Sequence, residues 1–67
     1  MRLKVIDKNE GNEVMVIDIT SGKISIDTKL SRSGYGQYVN DDGEVIVEVN
    51  DNIISYVNED YQLFIDN

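Results

Sequence analysis

The sequence predicts an all-β, self-associating domain, a small antiparallel barrel or sandwich of six or seven short strands. Three observations predict it. Apolar and polar residues alternate with period two along most of the chain, as half-buried strands require, because successive side chains point to opposite faces of a sheet. Clusters of Gly, Asn, Asp and Ser interrupt that alternation at short intervals, with no Pro anywhere and no internal repeat or linker, a spacing typical of small antiparallel architectures. Sixty-seven residues make one domain, 1–67, whose core is marginal at that length. The chain has neither Cys nor His, so disulfides and the commonest zinc ligands cannot supplement that core, and a second subunit is the expected remedy.

The elements follow in order. RLKVID, Arg2 to Asp7, places Leu3 and Val5 on one face, and KNEGN follows as a hairpin turn. EVMVIDIT, Glu13 to Thr20, puts Met15, Ile17 and Ile19 on one side and Val14, Val16 and Asp18 on the other. After the tight turn SGK, the run from Lys23 to Leu30 alternates again, with Ile24, Ile26 and Leu30 inward. KLSRSGYGQYV, Lys29 to Val39, breaks the pattern and reads as a decorated loop. QYVN then pairs with EVIVEVN across the turn Asn40 to Gly43, with Val45, Val47 and Val49 as the inward row. Glu44 and Glu48 guard the outer face of that apolar segment. The tail IISYVNEDYQLFIDN reads as two strands about Asn58 to Asp60; a single helix is the alternative, disfavoured by its β-branched and aromatic residues. Ile6, Val14, Val16 and Ile46 fall opposite the main apolar rows, so either a sandwich closes over them or a second subunit does, a symmetric dimer being the commonest way to hide such a face.

The net charge of −7 is uneven. Residues 1–36 hold all six basic residues against five acids, and residues 37–67 hold eight acids and no base. That field repels nucleic-acid phosphate and anionic membrane, so neither is an expected partner. No apolar run suits a signal peptide or membrane helix, and a cytoplasmic location is expected, the host cytoplasm if the chain is viral. Without imidazole or thiol there is no His base, Cys nucleophile or Ser-His-Asp arrangement, and no enzyme activity is expected. Asp7, Asn9, Gly11 and Glu13, and likewise Asn40, Asp41, Asp42 and Glu44, lack the spacing of a twelve-residue calcium loop and read as Asx turns. No metal or cofactor is expected.

Two segments carry candidate binding chemistry. In the Lys29–Val39 stretch, Lys29 and Arg32 supply positive charge, Arg with a planar fork suited to phosphate oxygens. Ser31 and Ser33 supply hydroxyls beside flexible glycines, and Tyr35 and Tyr38 supply flat faces for a base. Phosphate grip beside aromatic stacking suits a nucleotide-type ligand, held at loops near a subunit interface where neighbouring copies would concentrate the scarce cations. The alternative site is the acidic set Asp41, Asp42, Glu44, Glu48, Asp51, Glu59 and Asp60, which would imitate a phosphate row against a basic host protein. A structural assembly subunit is a third reading.

In length, acidity, absence of Cys and β-rich patterning, the chain resembles the small proteins that phages encode against host defences. The resemblance implies stoichiometric binding without turnover. Such proteins sequester nucleotide second messengers, a cyclic nucleotide being the expected kind here, or occlude the nucleic-acid site of a defence protein such as a CRISPR effector. The likeness is one of class and assigns no residue a role.

Overall fold

The structure is a computed structural model that describes residues 1–66; Asn67, the last residue of the expected domain, lies outside the described residues. Eight strands form: β1 (Arg2–Asp7), β2 (Glu13–Thr20), β3 (Lys23–Thr28), β4 (Ser31–Ser33), β5 (Gln37–Val39), β6 (Val45–Asn50), β7 (Ile53–Val57) and β8 (Tyr61–Asp66). They build two four-stranded sheets, β3-β2-β1-β8 and β4-β5-β6-β7, every pairing antiparallel. The sheets face each other across one core and do not close into a barrel. QYV forms β5 and pairs with β6 as expected, and Ser31–Ser33 of the segment read as a decorated loop adds β4, which raises the strand number to eight. The tail is two strands, as its β-branched and aromatic residues favour.

The core joins Val5, Val14, Met15 and Ile17 of the first sheet to Tyr38, Ile46 and Val47 of the second. Leu3, Ile19, Ile24, Ile26, Leu30 and Val49 pack around it, in agreement with the alternation. Val14 and Ile46 were expected on an outer face, yet they are 8% and 0% exposed. The reason is a pair of β-bulges. Val5 pairs with Met15 and Ile6 with Glu13, so Val14 has no partner on β1; Tyr38 pairs with Val47 and Val39 with Val45, so Ile46 is the extra residue on β6. An extra residue shifts the side-chain phase by one and turns two consecutive residues toward the core. The expected second apolar face therefore loses two of its four members, and only Ile6 and Val16 remain on it, both half-buried.

The extra residue of each bulge keeps its carbonyl bonded on the opposite, unbulged side, as buried backbone requires. The Val14 carbonyl accepts from Lys29 N (3.0 Å) and from the Thr28 hydroxyl (2.8 Å). The Ile46 carbonyl accepts from Asn58 N at 2.8 Å. Asn58 is the one buried polar residue among the described residues. Its Nδ2 donates to the Val45 carbonyl at 3.3 Å, and its Oδ1 accepts from Asp60 N at 2.9 Å. It fixes the passage of the chain from β7 to β8, between sheets.

Four connections gather at one end of the sandwich: residues 8–12, Lys29 and Leu30, the Asn40–Glu44 turn and residues 58–60. The tight turns at Ser21 and Gly22, at Gly34–Gly36, and at Asp51 and Asn52 lie at the other.

Candidate functional site

Ser31, Arg32 and Ser33 pair with Val39, Tyr38 and Gln37, so β4 and β5 are a short hairpin closed by Gly34, Tyr35 and Gly36. All three tip residues have positive φ, and Gln37 N donates to the Gly34 carbonyl at 3.0 Å. A positive φ of 28° at Tyr35 is costly for an aromatic residue. Its side chain is 98% exposed and contributes no packing in return. Gly36 docks the tip on β6: Val49 N donates to its carbonyl at 3.0 Å, and a Cβ at Gly36 would collide with the Val49 carbonyl oxygen.

Beneath this hairpin, on the flank where β3 faces β4, lies an open cleft of about 500 Å³. Ile24 and Ile26 of β3 form one wall. Arg32, Gly36, Tyr38 and Val49 form the other, and the β6–β7 turn residues Asp51 and Asn52 stand at its edge. Ion pairs among the described residues join Arg2 to Asp18 at 3.8 Å, and Lys4 to Glu13 at 3.3 Å and Asp66 at 3.4 Å. All belong to the first sheet, so the Arg32 guanidinium makes no ion pair among the described residues. The accessible lining of this open cleft is more polar than apolar, with its apolar surface confined to Ile24, Ile26, Tyr38 and Val49; small-molecule sites are usually more apolar and more enclosed.

The structure divides the six residues of the candidate ligand loop. Arg32 and Tyr38 share this cleft. Tyr38 is only 7% exposed and belongs to the core, so it offers the cleft part of its surface as a wall. Ser31 and Ser33 alternate with Arg32 along β4 and so lie on its opposite side. Tyr35 stands in solvent at the tip. Lys29 lines a separate recess of about 120 Å³, beside Glu13, Val14, Asp27 and Thr28. Ile24, Ile26, Val49 and Asn52 were not singled out as site residues. Alternation marks the isoleucines as inward, but only the sheet order reveals that β3 lies over β4.

The candidate acidic face is divided as well. Asp41, Asp42, Glu44, Glu59 and Asp60 share one end of the sandwich. Asp7 and Glu10 join them there from the β1–β2 turn, whose Lys8 N donates to the Asp60 carbonyl at 3.0 Å and whose Lys8 Nζ donates to the Glu59 carbonyl at 2.8 Å. The crowding registers on Tyr61. Burial, then the charges of Asp7, Glu44, Asp60 and Glu10, push its phenol above the ordinary tyrosine value. Glu48 lies apart on β6, accepting from Gln37 Nε2 at 2.7 Å, and Asp51 is at the cleft. Asp7 Oδ1 accepts from the backbone N of Asn9 and Glu10, and Asn40 Oδ1 from those of Asp42 and Glu44, so both turns are Asx-type. Among the described residues no cluster of three or more acidic side chains is arranged to hold a metal ion, and no helix is long and apolar enough to cross a membrane.

Comparison with protein-family models, with curated proteins and with solved structures found no match to this chain.

Proposed function

We propose that the protein is a non-enzymatic binding domain that retains a small phosphate-bearing, nucleotide-type ligand in the cleft between β3 and β4. The observation that carries this reading is Arg32: a guanidinium without an ion-pair partner among the described residues, at a cleft of about 500 Å³ walled by Ile24, Ile26, Val49 and Tyr38. The guanidinium grips the phosphate oxygens, and the apolar walls cover the base. Asp51 and Asn52 line the same cleft, and in this reading they accept from ribose hydroxyls. In this form the site needs one subunit, and cations need not converge from neighbouring copies. Retention without turnover is also what the likeness to phage counter-defence proteins implies, and it makes the protein a sponge for a nucleotide signal.

Calorimetry against a panel of linear and cyclic nucleotides tests the reading. Loss of a hydrogen-bonded charge pair costs about 1.5–3 kcal/mol, so Arg32→Ala should weaken binding by roughly ten- to a hundredfold. Binding no tighter than millimolar across the panel, or equal binding by Arg32→Ala, refutes it.

The acidic end favours a second reading, an inhibitor that docks on a basic protein groove. Seven acids, from turns of both sheets, share that end with Lys8 and Lys29. Such docking would associate more slowly as salt rises, and Asp60→Lys with Glu59→Lys would abolish it while leaving nucleotide binding intact.

A further inference from the structure

The sandwich has four edge strands, and three are guarded against pairing with another chain. β3 carries Lys23 and Asp27, β4 has three residues with Arg32 at its centre, and β7 is broken by a bulge at Ser55. Short length, charge and bulges are the usual protections of an edge. β8 has none of them. It runs six residues in unbroken register with β1, and its only charge is Asp66 at its end, which is engaged by Lys4 at 3.4 Å. Its outer backbone edge has no strand beside it.

The side chains agree with the backbone. Leu63, Phe64 and Ile65 are exposed on β8, Ile65 by 66%, and Ile53 and Tyr56 are exposed on the neighbouring edge strand β7. Leu63 and Ile65 pair with Val5 and Leu3 and so face the core side, where nothing beyond β8 covers them. Residues 53–57 and 61–65 contain no charged side chain, in a chain that is 28% charged. This neutral, apolar flank lies opposite the cleft.

We propose that β8 is the dimer interface: two copies add their β8 strands antiparallel across a two-fold axis and join two four-stranded sheets into one of eight. The occupant is a second copy for an electrostatic reason. With a net charge of −7, copies repel wherever their acids meet, and this flank is the one where they need not. The acidic end lies at the Tyr61 end of β8, beside Glu59, Asp60 and Asp7, while Arg2 and Lys4 on β1 lie toward its Asp66 end. Antiparallel addition sets the acidic turn of each copy near the Arg2 and Lys4 end of the other and sends the two acidic ends apart. Each backbone edge gains ladder partners, and Leu63 and Ile65 gain cover. This interface differs from the Ile6, Val14, Val16 and Ile46 face that alternation suggests, two of whose members are core residues.

Sedimentation equilibrium over a wide concentration range is the test, with Ile65→Lys as the edge-guarding variant and Tyr35→Ala as a surface control. The wild type and Tyr35→Ala should reach twice the chain mass of 7.6 kDa, and Ile65→Lys should need roughly tenfold or more protein to do so, with an unchanged β-type circular dichroism spectrum. Should Ile65→Lys fail to fold, hydrogen exchange on the wild type decides: amides of residues 62–65 should become more protected as concentration rises. A wild type that stays at the single-chain mass up to millimolar concentration overturns the proposal. So does an Ile65→Lys variant that dimerises like the wild type, or protection at 62–65 that ignores dilution.

Discussion

Replacing Gly36 by Ala separates two costs that ordinarily come together. Gly36 has a φ of 78° and touches β6, whereas Gly22 has a φ of 75° with open space around the position of a Cβ. The left-handed conformation alone costs an L-residue about 1–2 kcal/mol, and Gly22→Ala should lose that amount. At Gly36 the methyl would also overlap the Val49 carbonyl oxygen and approach Asn50 Oδ1 at 3.4 Å. The obstructing atom is backbone of a core strand, so relief requires moving the hairpin tip off β6 and weakening the 3.0 Å bond from Val49 N. A hydrogen bond contributes about 0.5–1.5 kcal/mol net, and the displaced packing adds to it, so Gly36→Ala should cost about 2–4 kcal/mol. A domain of this length has about 3–10 kcal/mol in all, so the variant should be partly unfolded at room temperature in mild denaturant. Urea unfolding followed by circular dichroism measures both variants. Equal losses at Gly36 and Gly22 would refute the claim that contact with Val49, and not φ alone, demands glycine.

Four further outcomes follow from the same structure. Asn58→Ala leaves the Val45 carbonyl and Asp60 N without their side-chain partners and should cost about 1–3 kcal/mol in urea unfolding; Met15→Ala, at a residue 1% exposed, should cost about 2–5 kcal/mol by cavity formation. The melting temperature should rise with NaCl, because the Debye length falls from about 30 Å at 0.01 M to about 3 Å at 1 M and screens the crowded acidic end; a flat response would mean those acids do not strain the fold. Because the folded phenol of Tyr61 sits above its ordinary value of 10.0, its contribution is complete below about pH 10 and is lost as the pH rises through the higher folded value. Tyr61→Phe should therefore lose less stability than the wild type on titration above pH 10. Lys4, also raised, first by its hydrogen bond to Glu13 and then by that residue's charge, is common to both proteins and cancels from the comparison.

Alternation alone located most of the core. Leu3, Val5, Met15, Ile17, Ile24, Ile26, Val47 and Val49 all face inward where period two puts them. It misassigned Val14 and Ile46, because a bulge is a change of register against a neighbouring strand and a single strand carries no record of its partner. In the Lys29–Val39 stretch the pairing of QYV with β6 was legible, whereas Ser31–Ser33 is a strand only because the glycine-tipped turn folds it back on β5, and three polar residues carry no alternation to announce that. Arg32 was legible as a cation in a distinctive context. Its cleft was not, since the facing wall comes from β3 and only the order of strands in two sheets sets Ile24 and Ile26 opposite it. Asp7 and Glu10 belong to the acidic end for the same reason: they are distant in sequence and brought beside Asp60 by the β1–β8 pairing.

The chain passes from one sheet to the other twice, through Lys29 and Leu30 and through Asn58–Asp60, and both passages are at the acidic end. At the far end every connection is a hairpin within its own sheet. The molecule is thus built like a clothes-peg, sprung by its covalent crossings at one end and closed at the other by side-chain contact alone. Its jaws meet where Ile24, Gly36, Asp51 and Asn52 border the cleft. Parting the two sheets at that end would break no strand ladder, because every ladder there lies within one sheet.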